Sequence, residues 1–354
     1  MDGKKSAHPL RDPAGYVTLG QELASGERGE LALSLIARAM NADPGDSRVR
    51  ALSGIISSYK VHGFHRGMLA DEPRNAAYRA AIERLAPGKH VLDVGTGSGL
   101  LAMIAARAGA RSVVACEMNP MLAATAREIV AANGLSDRIT IIGRNSADLD
   151  KETDLAGGAE LVISEIVSDN LIGEGILPAL EDVRKRLCRP GAVFLPEGAD
   201  IRVSLCELTD RHTPVGEVEG FDLSLFNRHV APSRTVHNAH PKLKQIGEAA
   251  DLFTFEFHAD AEIPQTGEAA RTLAWPASNG GQANGIAQWI RLRLADGISY
   301  ENAPGPARAL HWPVRFTPLA GAEKGGPEIE AETGAAIEVG GWFGGDQLAV
   351  WHRG

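Results

Sequence analysis

Two glutamates, Glu165 and Glu174, stand nine residues apart in Ser164-Glu165-Ile166-Val167-Ser168-Asp169-Asn170-Leu171-Ile172-Gly173-Glu174-Gly175, directly after the apolar run Leu161-Val162-Ile163. Such a run reads as a buried strand. In a single helix, nine steps of about 100° would set the two carboxylates on opposite faces. They converge only if the chain leaves the strand and folds back as a loop, and Gly173 and Gly175 give the backbone freedom for that. Two acids meeting at the carboxyl end of a strand suggest a site for a cation, because like charges at close range are tolerated mainly when a positive group neutralises them. Alone, the stretch reads more simply as a solvated loop with two unrelated glutamates. Residues upstream change that balance.

Val91-Leu92-Asp93-Val94-Gly95-Thr96-Gly97-Ser98-Gly99 is a strand ending in a glycine loop that opens a helix. Its G-x-G-x-G spacing differs from the G-x-G-x-x-G of dinucleotide folds, and Asp93 would repel a pyrophosphate. A ligand with an amino group and no phosphate fits better. Glu117 ends the next strand, where an acid can accept hydrogen bonds from both hydroxyls of a ribose. Asp93, Gly95, Gly97, Gly99 and Glu117 together resemble the S-adenosylmethionine site of class I methyltransferases. After the third strand, Gly143-Arg144-Asn145-Ser146-Ala147-Asp148 takes the place of the adenine contacts in such enzymes. Ser146 would offer its backbone there, and Asp148 is the residue available where many relatives carry a glutamate.

The elements that must hold these groups follow from the pattern. His90 to Val94, Ser112 to Glu117, Ile139 to Ile142 and Leu161 to Ser164 are short apolar strands, separated by helical stretches such as Leu100 to Ala108 and Pro120 to Asn133. This βαβ alternation predicts a parallel sheet. After Pro190-Gly191 come alternating runs, Ala199 to Leu205, Leu252 to Phe257, Ile286 to Leu294 and Ala335 to Val339, which predict an antiparallel β-barrel or sandwich with the boundary near Leu195-Pro196. Residues 1 to about 20 are expected to be poorly ordered. Apolar positions Leu31, Leu35, Ile36, Ala39 and Met40, then Val49, Leu52, Ile55 and Ile56, predict a helical hairpin like one tetratricopeptide unit. It would need the protein body or a second subunit to cover its apolar face.

With 354 residues and 44% hydrophobic content, the chain can form two cores. No apolar run approaches the roughly 20 residues of a membrane span, and no signal-type core follows Met1, so a cytoplasmic protein is expected. Cys116, Cys188 and Cys206 form no disulfide framework and no metal-ligand pattern; they read as buried fillers, and no metal is expected. A net charge of −9 disfavours nonspecific nucleic-acid binding and suits a basic partner.

At this point the sequence resembles the protein arginine N-methyltransferases over roughly residues 55 to 354. Tyr59-Lys60-Val61-His62-Gly63-Phe64-His65-Arg66-Gly67-Met68-Leu69-Ala70-Asp71-Glu72-Pro73-Arg74 matches the family's Tyr, His, Met-Leu, Asp and Arg in register. Ser164 to Glu174 matches its double-glutamate loop, and Ala309-Leu310-His311-Trp312 its Thr-His-Trp loop. Gly-Glu-Gly after Leu-Ile resembles the divergent members that make monomethylarginine or symmetric dimethylarginine. The resemblance implies a Rossmann-type methyltransferase domain (53–195), a β-barrel domain (196–354) with a dimerisation arm near 207–230, and a tail and helical hairpin (1–52) in front. It implies S-adenosylmethionine as cofactor, arginine in a protein or peptide as acceptor, and a head-to-tail homodimer.

A guanidinium is delocalised and keeps its charge beyond about pH 12, so its nitrogen is a poor nucleophile until the charge is pinned away from the reacting atom. Glu165 and Glu174 would grip its fork through bidentate hydrogen bonds. By the resemblance, Arg74 would hold the cofactor carboxylate, and Asp71 would pair with His311 and take part in removing the proton. Tyr59 and His65 would border the cofactor, Met68 the cofactor and acceptor pocket, and Trp312 the substrate; His62 is ambiguous beside His65. Ile55 and Ile56 replace an aromatic pair, Leu310 a threonine and Ile176 a methionine. The alternatives are a methyltransferase for a small guanidine or amine metabolite, and a weakly catalytic cofactor-binding scaffold.

Overall fold

The computed structural model describes residues 12–25, 28–43, 45–59, 61, 63–210, 215–229, 233–274, 283–305, 311–319 and 336–353. His62, Ala309, Leu310 and Ala335 lie outside the described residues. The chain divides into two compact units, one of residues 1–70, 78–165 and 183–193, the other of residues 71–77, 166–182 and 194–354.

The first unit begins with α1 (Pro13–Ser25), α2 (Gly29–Ala42) and α3 (Ser47–Ser58). Residues 13–20, expected to be poorly ordered, instead form most of α1. Tyr16, Gly20 and Ala24, four residues apart, put one face of α1 into a core with Ala32, Ile36, Ala39, Val49 and Ile56. The buried Tyr16 hydroxyl shares a 2.8 Å hydrogen bond with Ser53. The core also includes Met121, so the helices pack on the protein body as their uncovered apolar face requires. Next come α4 (Phe64–Ala70) and α5 (Glu72–Leu85), whose first residues belong to the second unit.

Strands β1 (His90–Val94), β2 (Ser112–Cys116), β3 (Ile139–Ile142), β4 (Ala159–Ser164) and β5 (Cys188–Leu195) follow, with β1 to β4 parallel. They form a five-stranded sheet in the order β3-β2-β1-β4-β5. Helices α6 (Leu100–Arg107), α7 (Pro120–Ala132) and α8 (Ile176–Arg186) alternate with the strands. Leu161, Val162 and Ile163 of β4 are fully buried, as a doubly covered parallel strand demands. This order carries the carboxyl ends of β1, β2 and β4 side by side.

The second unit is antiparallel. Strands β6 (Gly198–Leu208), β9 (Arg234–Val236), β10 (Leu243–Gln245), β11 (Ala250–Glu256), β13 (Gly285–Ala295), β14 (Ile298–Glu301) and β15 (Val314–Pro318) form one sheet; β12 (Thr266–Ala274), β16 (Ala336–Gly344) and β17 (Gln347–Arg353) form another. Trp289 and Phe316 fill the core between strands. Phe343 meets Phe253 and Phe255 edge to face at 5.0 Å and 5.1 Å, and those two rings stack at 6.5 Å. Both arrangements suit the charge distribution of aromatic rings. A small hairpin, β7 (Glu217–Val218) and β8 (Phe221–Asp222), leads into a short 3-10 turn, Ser224–His229. Along it Val218, Phe221, Leu223, Leu225 and Phe226 are exposed.

The docking of the helical extension is open to a direct test. A side chain at Gly29 would put Cβ 2.5 Å from the backbone of Pro120 and Met121, which cannot rotate away. Gly29→Val is expected to lower stability by about 1–3 kcal/mol through overpacking. It should also speed proteolysis within residues 12–59 while the parallel sheet stays protected. Thermal unfolding with limited proteolysis checks both.

Candidate active site

In the first unit, the turn after β1 is held by conformation. Gly95, Gly97 and Gly99 have φ of 74°, 55° and 81°. Side chains disfavour that region. The amides of Gly95 and Thr96 both donate to the Cys116 carbonyl at 3.0 Å, tying the turn to the end of β2. Asp93 is buried and accepts the Thr96 hydroxyl at 2.6 Å. Glu117 is 7% exposed, and its two oxygens accept the amides of Gly97 (3.0 Å) and Asn119 (2.8 Å). Asn119 in turn caps α7, accepting from Met121 and Leu122 ahead of Pro120. Burial lifts the Glu117 pKa above its ordinary value, against the lowering pull of the two amides.

A carboxylate has about four acceptor positions, so Glu117 keeps capacity for a vicinal diol beside these amides. A methyl placed on Gly97 would meet no atom within 4 Å, which leaves that backbone open to close approach. Two buried acids around an open glycine turn suit a ligand bearing positive groups and a ribose, as S-adenosylmethionine does. Ser146 is buried in a one-turn 3-10 helix, Ser146–Asp148, after β3, whereas the Asp148 side chain is exposed. Sequence reasoning missed Arg186 of α8, which donates to the carbonyls of Ser146, Ala147 and Leu149 at 3.0–3.2 Å. Tyr59 ends α3 and is exposed; His65 and Met68 lie half-buried on α4, which buries none of its side chains fully. The thiols of Cys116, Cys188 and Cys206 are buried, and burial raises them to about 12, 11 and 12, far from reactivity.

The second unit brings Asp71, Arg74, His311 and Trp312 together. Asp71 Oδ2 lies 2.8 Å from His311 Nδ1 and accepts the His311 amide at 3.2 Å; its Oδ1 accepts the Arg74 amide at 3.0 Å. A residue absent from the sequence reading, Tyr300, also donates to Oδ2 at 2.5 Å. Burial by itself would raise the Asp71 pKa; the hydrogen bonds from His311, Tyr300 and the Arg74 and His311 amides outweigh it and hold it at about 2. Relative to an ordinary value of 3.8, its contribution to stability is present above that pH and is lost as pH falls toward about 2. Arg74 is only 2% exposed, so its guanidinium is no helix-surface cation. The His311 ring lies 4.1 Å from that of Trp312.

The double-glutamate stretch leaves β4 as a loop and turns back on itself. Ser168 and Leu171 form an antiparallel bridge, and Leu171 adopts φ 75°. That value is uncommon for a branched side chain. Asn170 Oδ1 accepts the amides of Ile172 and Gly173, while Gly175 turns at φ 80°. Asp169 is clamped by Arg315 of β15 through two hydrogen bonds at 2.8 and 3.2 Å, and its carbonyl accepts from Gln288. Glu165 is half-buried just past β4, and Glu174 is exposed beyond the bridge.

Comparison with known proteins places these features. The family model of the ribosomal protein L11 methyltransferase (PrmA) matches residues 79–195. An arginine N(omega)-methyltransferase of Streptomyces achromogenes subsp. streptozoticus is 41% identical over 271 residues, 75% of this chain and 73% of that protein. The chain belongs to the protein arginine N-methyltransferase family. Protein arginine N-methyltransferase 7 of Oryza sativa subsp. japonica is 31% identical over 277 residues, 68% of this chain but 36% of that longer protein. Among solved structures, the Trypanosoma brucei PRMT1 enzyme-prozyme heterotetrameric complex with AdoHcy matches with a TM-score of 0.71 at 25% identity, over 83% of this chain and 93% of that one. Arabidopsis thaliana protein arginine methyltransferase 10 shares the fold, with a TM-score of 0.66 at 20% identity over 83% of this chain and 99% of that one. The protein is thus an S-adenosylmethionine-dependent arginine methyltransferase, with a Rossmann-type sheet followed by an antiparallel β domain. Among the described residues, no helix is long and apolar enough to cross a membrane.

Glu117→Ala is expected to weaken binding of S-adenosylhomocysteine by about 1.5–3 kcal/mol, the range for hydrogen bonds to a charged group. In the wild type, binding should weaken as pH falls, starting above the ordinary carboxylate range because Glu117 is raised. Calorimetry across pH measures both.

Proposed function

We propose that this methyltransferase acts on arginine in a protein or peptide, with Glu165 and Glu174 as the guanidinium clamp. The observation that carries the reading is the folded-back loop between the two acids, locked by Asp169 to Arg315 and by Asn170 to the backbone on either side of Ile172. When bound, S-adenosylmethionine supplies an electrophilic methyl group on sulfur. Asp93, Glu117, the glycine turn, Ser146 and Arg74 would hold it, with Tyr59, His65 and Met68 along its border. The two glutamates pin the guanidinium charge and aim one terminal nitrogen, so orientation and fixed charge do most of the work. His311, donating an Nδ1–H hydrogen bond to the Asp71 carboxylate, keeps Nε2 as the nitrogen that receives the proton leaving the alkylated nitrogen. Asp71 itself, saturated with donors and held at about 2, is too weak a base for that step. Met68 and Trp312 would shape the acceptor pocket, and the Gly173-Glu174-Gly175 and Ile176 features favour monomethyl or symmetric dimethyl product.

We further propose a cytoplasmic homodimer in which the exposed apolar arm, Val218 to Phe226, docks on a second copy. Isolated apolar side chains need no cover, but five within nine residues do. Light scattering should give a dimer for the wild type and a monomer for a chain lacking residues 215–229. A fully active wild-type monomer would remove the arm from this role.

A second reading, free arginine as acceptor, is favoured by the Streptomyces relative, whose name specifies arginine and no protein. Parallel assays with free L-arginine and with arginine-containing peptides separate the two. With whichever acceptor is used, Glu165→Gln and Glu174→Gln should each lower transfer at least roughly 10²-fold, since the amide keeps the shape and loses the charge. S-adenosylhomocysteine affinity should stay near wild type. Transfer within a fewfold of wild type in either variant would remove that glutamate from the clamp.

A further inference from the structure

Tyr300, on the short strand β14, is not among the residues that the double-glutamate, glycine-turn or Thr-His-Trp motifs single out, yet its hydroxyl ends on the Asp71 carboxylate, which also accepts from His311 and the Arg74 amide. Tyr300 is buried, and a buried hydroxyl requires a partner. Its partner is Asp71 Oδ2 at 2.5 Å, the same oxygen that lies 2.8 Å from His311 Nδ1. The tyrosine ring also stands 5.6 Å from the Trp312 ring.

The strand gives Tyr300 a fixed place. Glu301, pointing to the other face, accepts Trp289 Nε1 at 2.6 Å and Arg202 Nη1 at 2.7 Å. Asn302 is fully buried; its amide donates to the carbonyls of Trp312 (3.2 Å) and Pro313 (3.0 Å), and its oxygen accepts the Ile290 amide. Three successive residues therefore tie β14 to β13, to the chain after His311, and to Asp71.

We propose that Tyr300 is a positioning residue for methyl transfer: its hydroxyl fixes the Asp71 carboxylate, which in turn holds His311 with Nδ1–H inward and Nε2 as the basic nitrogen. The inference rests on the reading of Asp71 and His311 as the proton-accepting pair. An ionised carboxylate only accepts hydrogen bonds, so the nitrogen facing it must carry the proton. With a solution pKa near about 10, a tyrosine stays a donor at neutral pH. The groups facing Asp71 are Tyr300 from β14, His311 from the segment before β15, and the Arg74 amide from α5. Tyr300 draws negative charge away from the oxygen it shares with His311, and so limits how strongly Asp71 stabilises a protonated imidazole. Phenylalanine would keep the ring and lose the hydroxyl's bond to Asp71.

The test is Tyr300→Phe on the full chain. Its kcat is expected to fall roughly three- to tenfold, the effect of one hydrogen bond, with the acceptor KM within about twofold of wild type. The acid limb of the kcat profile should move to higher pH, because a less screened Asp71 favours the charged imidazole. S-adenosylhomocysteine affinity and thermal midpoint should stay near wild type. As a second measurement, 15N spectra of the imidazoles, with His311 identified against His311→Gln, should show the Nδ1–H form in the wild type and a smaller share of that form in Tyr300→Phe. Unchanged kcat and acid limb would overturn the proposal. So would a fall in kcat that only tracks lost stability and cofactor binding, or an Nε2–H form in the wild type. If the wild type methylates no arginine acceptor, the functional reading fails separately, and the imidazole tautomer still decides the role of Tyr300.

Discussion

Each unit buries carboxylates and meets them with hydrogen-bond donors. An unpaired buried charge costs several kcal/mol, and ordinary burial would protonate the group instead. Asp71 escapes this because donors from distant positions, Tyr300 and His311, and the nearby Arg74 amide converge on it. Asp93 uses the Thr96 hydroxyl, and Glu117 uses the Gly97 and Asn119 amides. Each solution fixes a stretch of backbone: the glycine turn, the start of α7, and the segment carrying His311 and Trp312. The hydrogen bonds that satisfy the buried acids are thus the same ones that shape the loops around them.

The contrast between Asp71 and Glu117 follows from how many donors each finds. Asp71 takes two side-chain and two backbone hydrogen bonds, enough to overcome burial and depress its pKa. Glu117 takes two amides, and burial prevails. A strongly depressed carboxylate suits an orienting role beside a histidine. A raised one keeps acceptor strength for hydroxyl groups.

Much of this was legible in the sequence where the physics is local. Gly175, read as a point of backbone freedom, turns at φ 80° in the loop from Glu165 to Glu174, and alternate glycines after an apolar strand form the turn that meets Glu117. The strain at Leu171 was not readable, since nothing local marks a leucine for positive φ. Tyr300 was invisible because its partner lies 229 residues earlier in the chain. Nothing local marks Arg74 for burial, because helical periodicity cannot tell which polar position the tertiary fold will cover. In α1, expected to be poorly ordered up to about residue 20, the signal was present: Tyr16, Gly20 and Ala24 share one helical face.

The most direct test of the two-glutamate clamp is tandem mass spectrometry of a panel of arginine- and lysine-containing peptides and free L-arginine after incubation with S-adenosylmethionine. A clamp of two carboxylates matches a planar fork and not a compact ammonium. Methylation confined to arginine guanidinium nitrogens, in peptide or free form, is the predicted result. Methyl-lysine, or methylated small amines with arginine untouched, would contradict it.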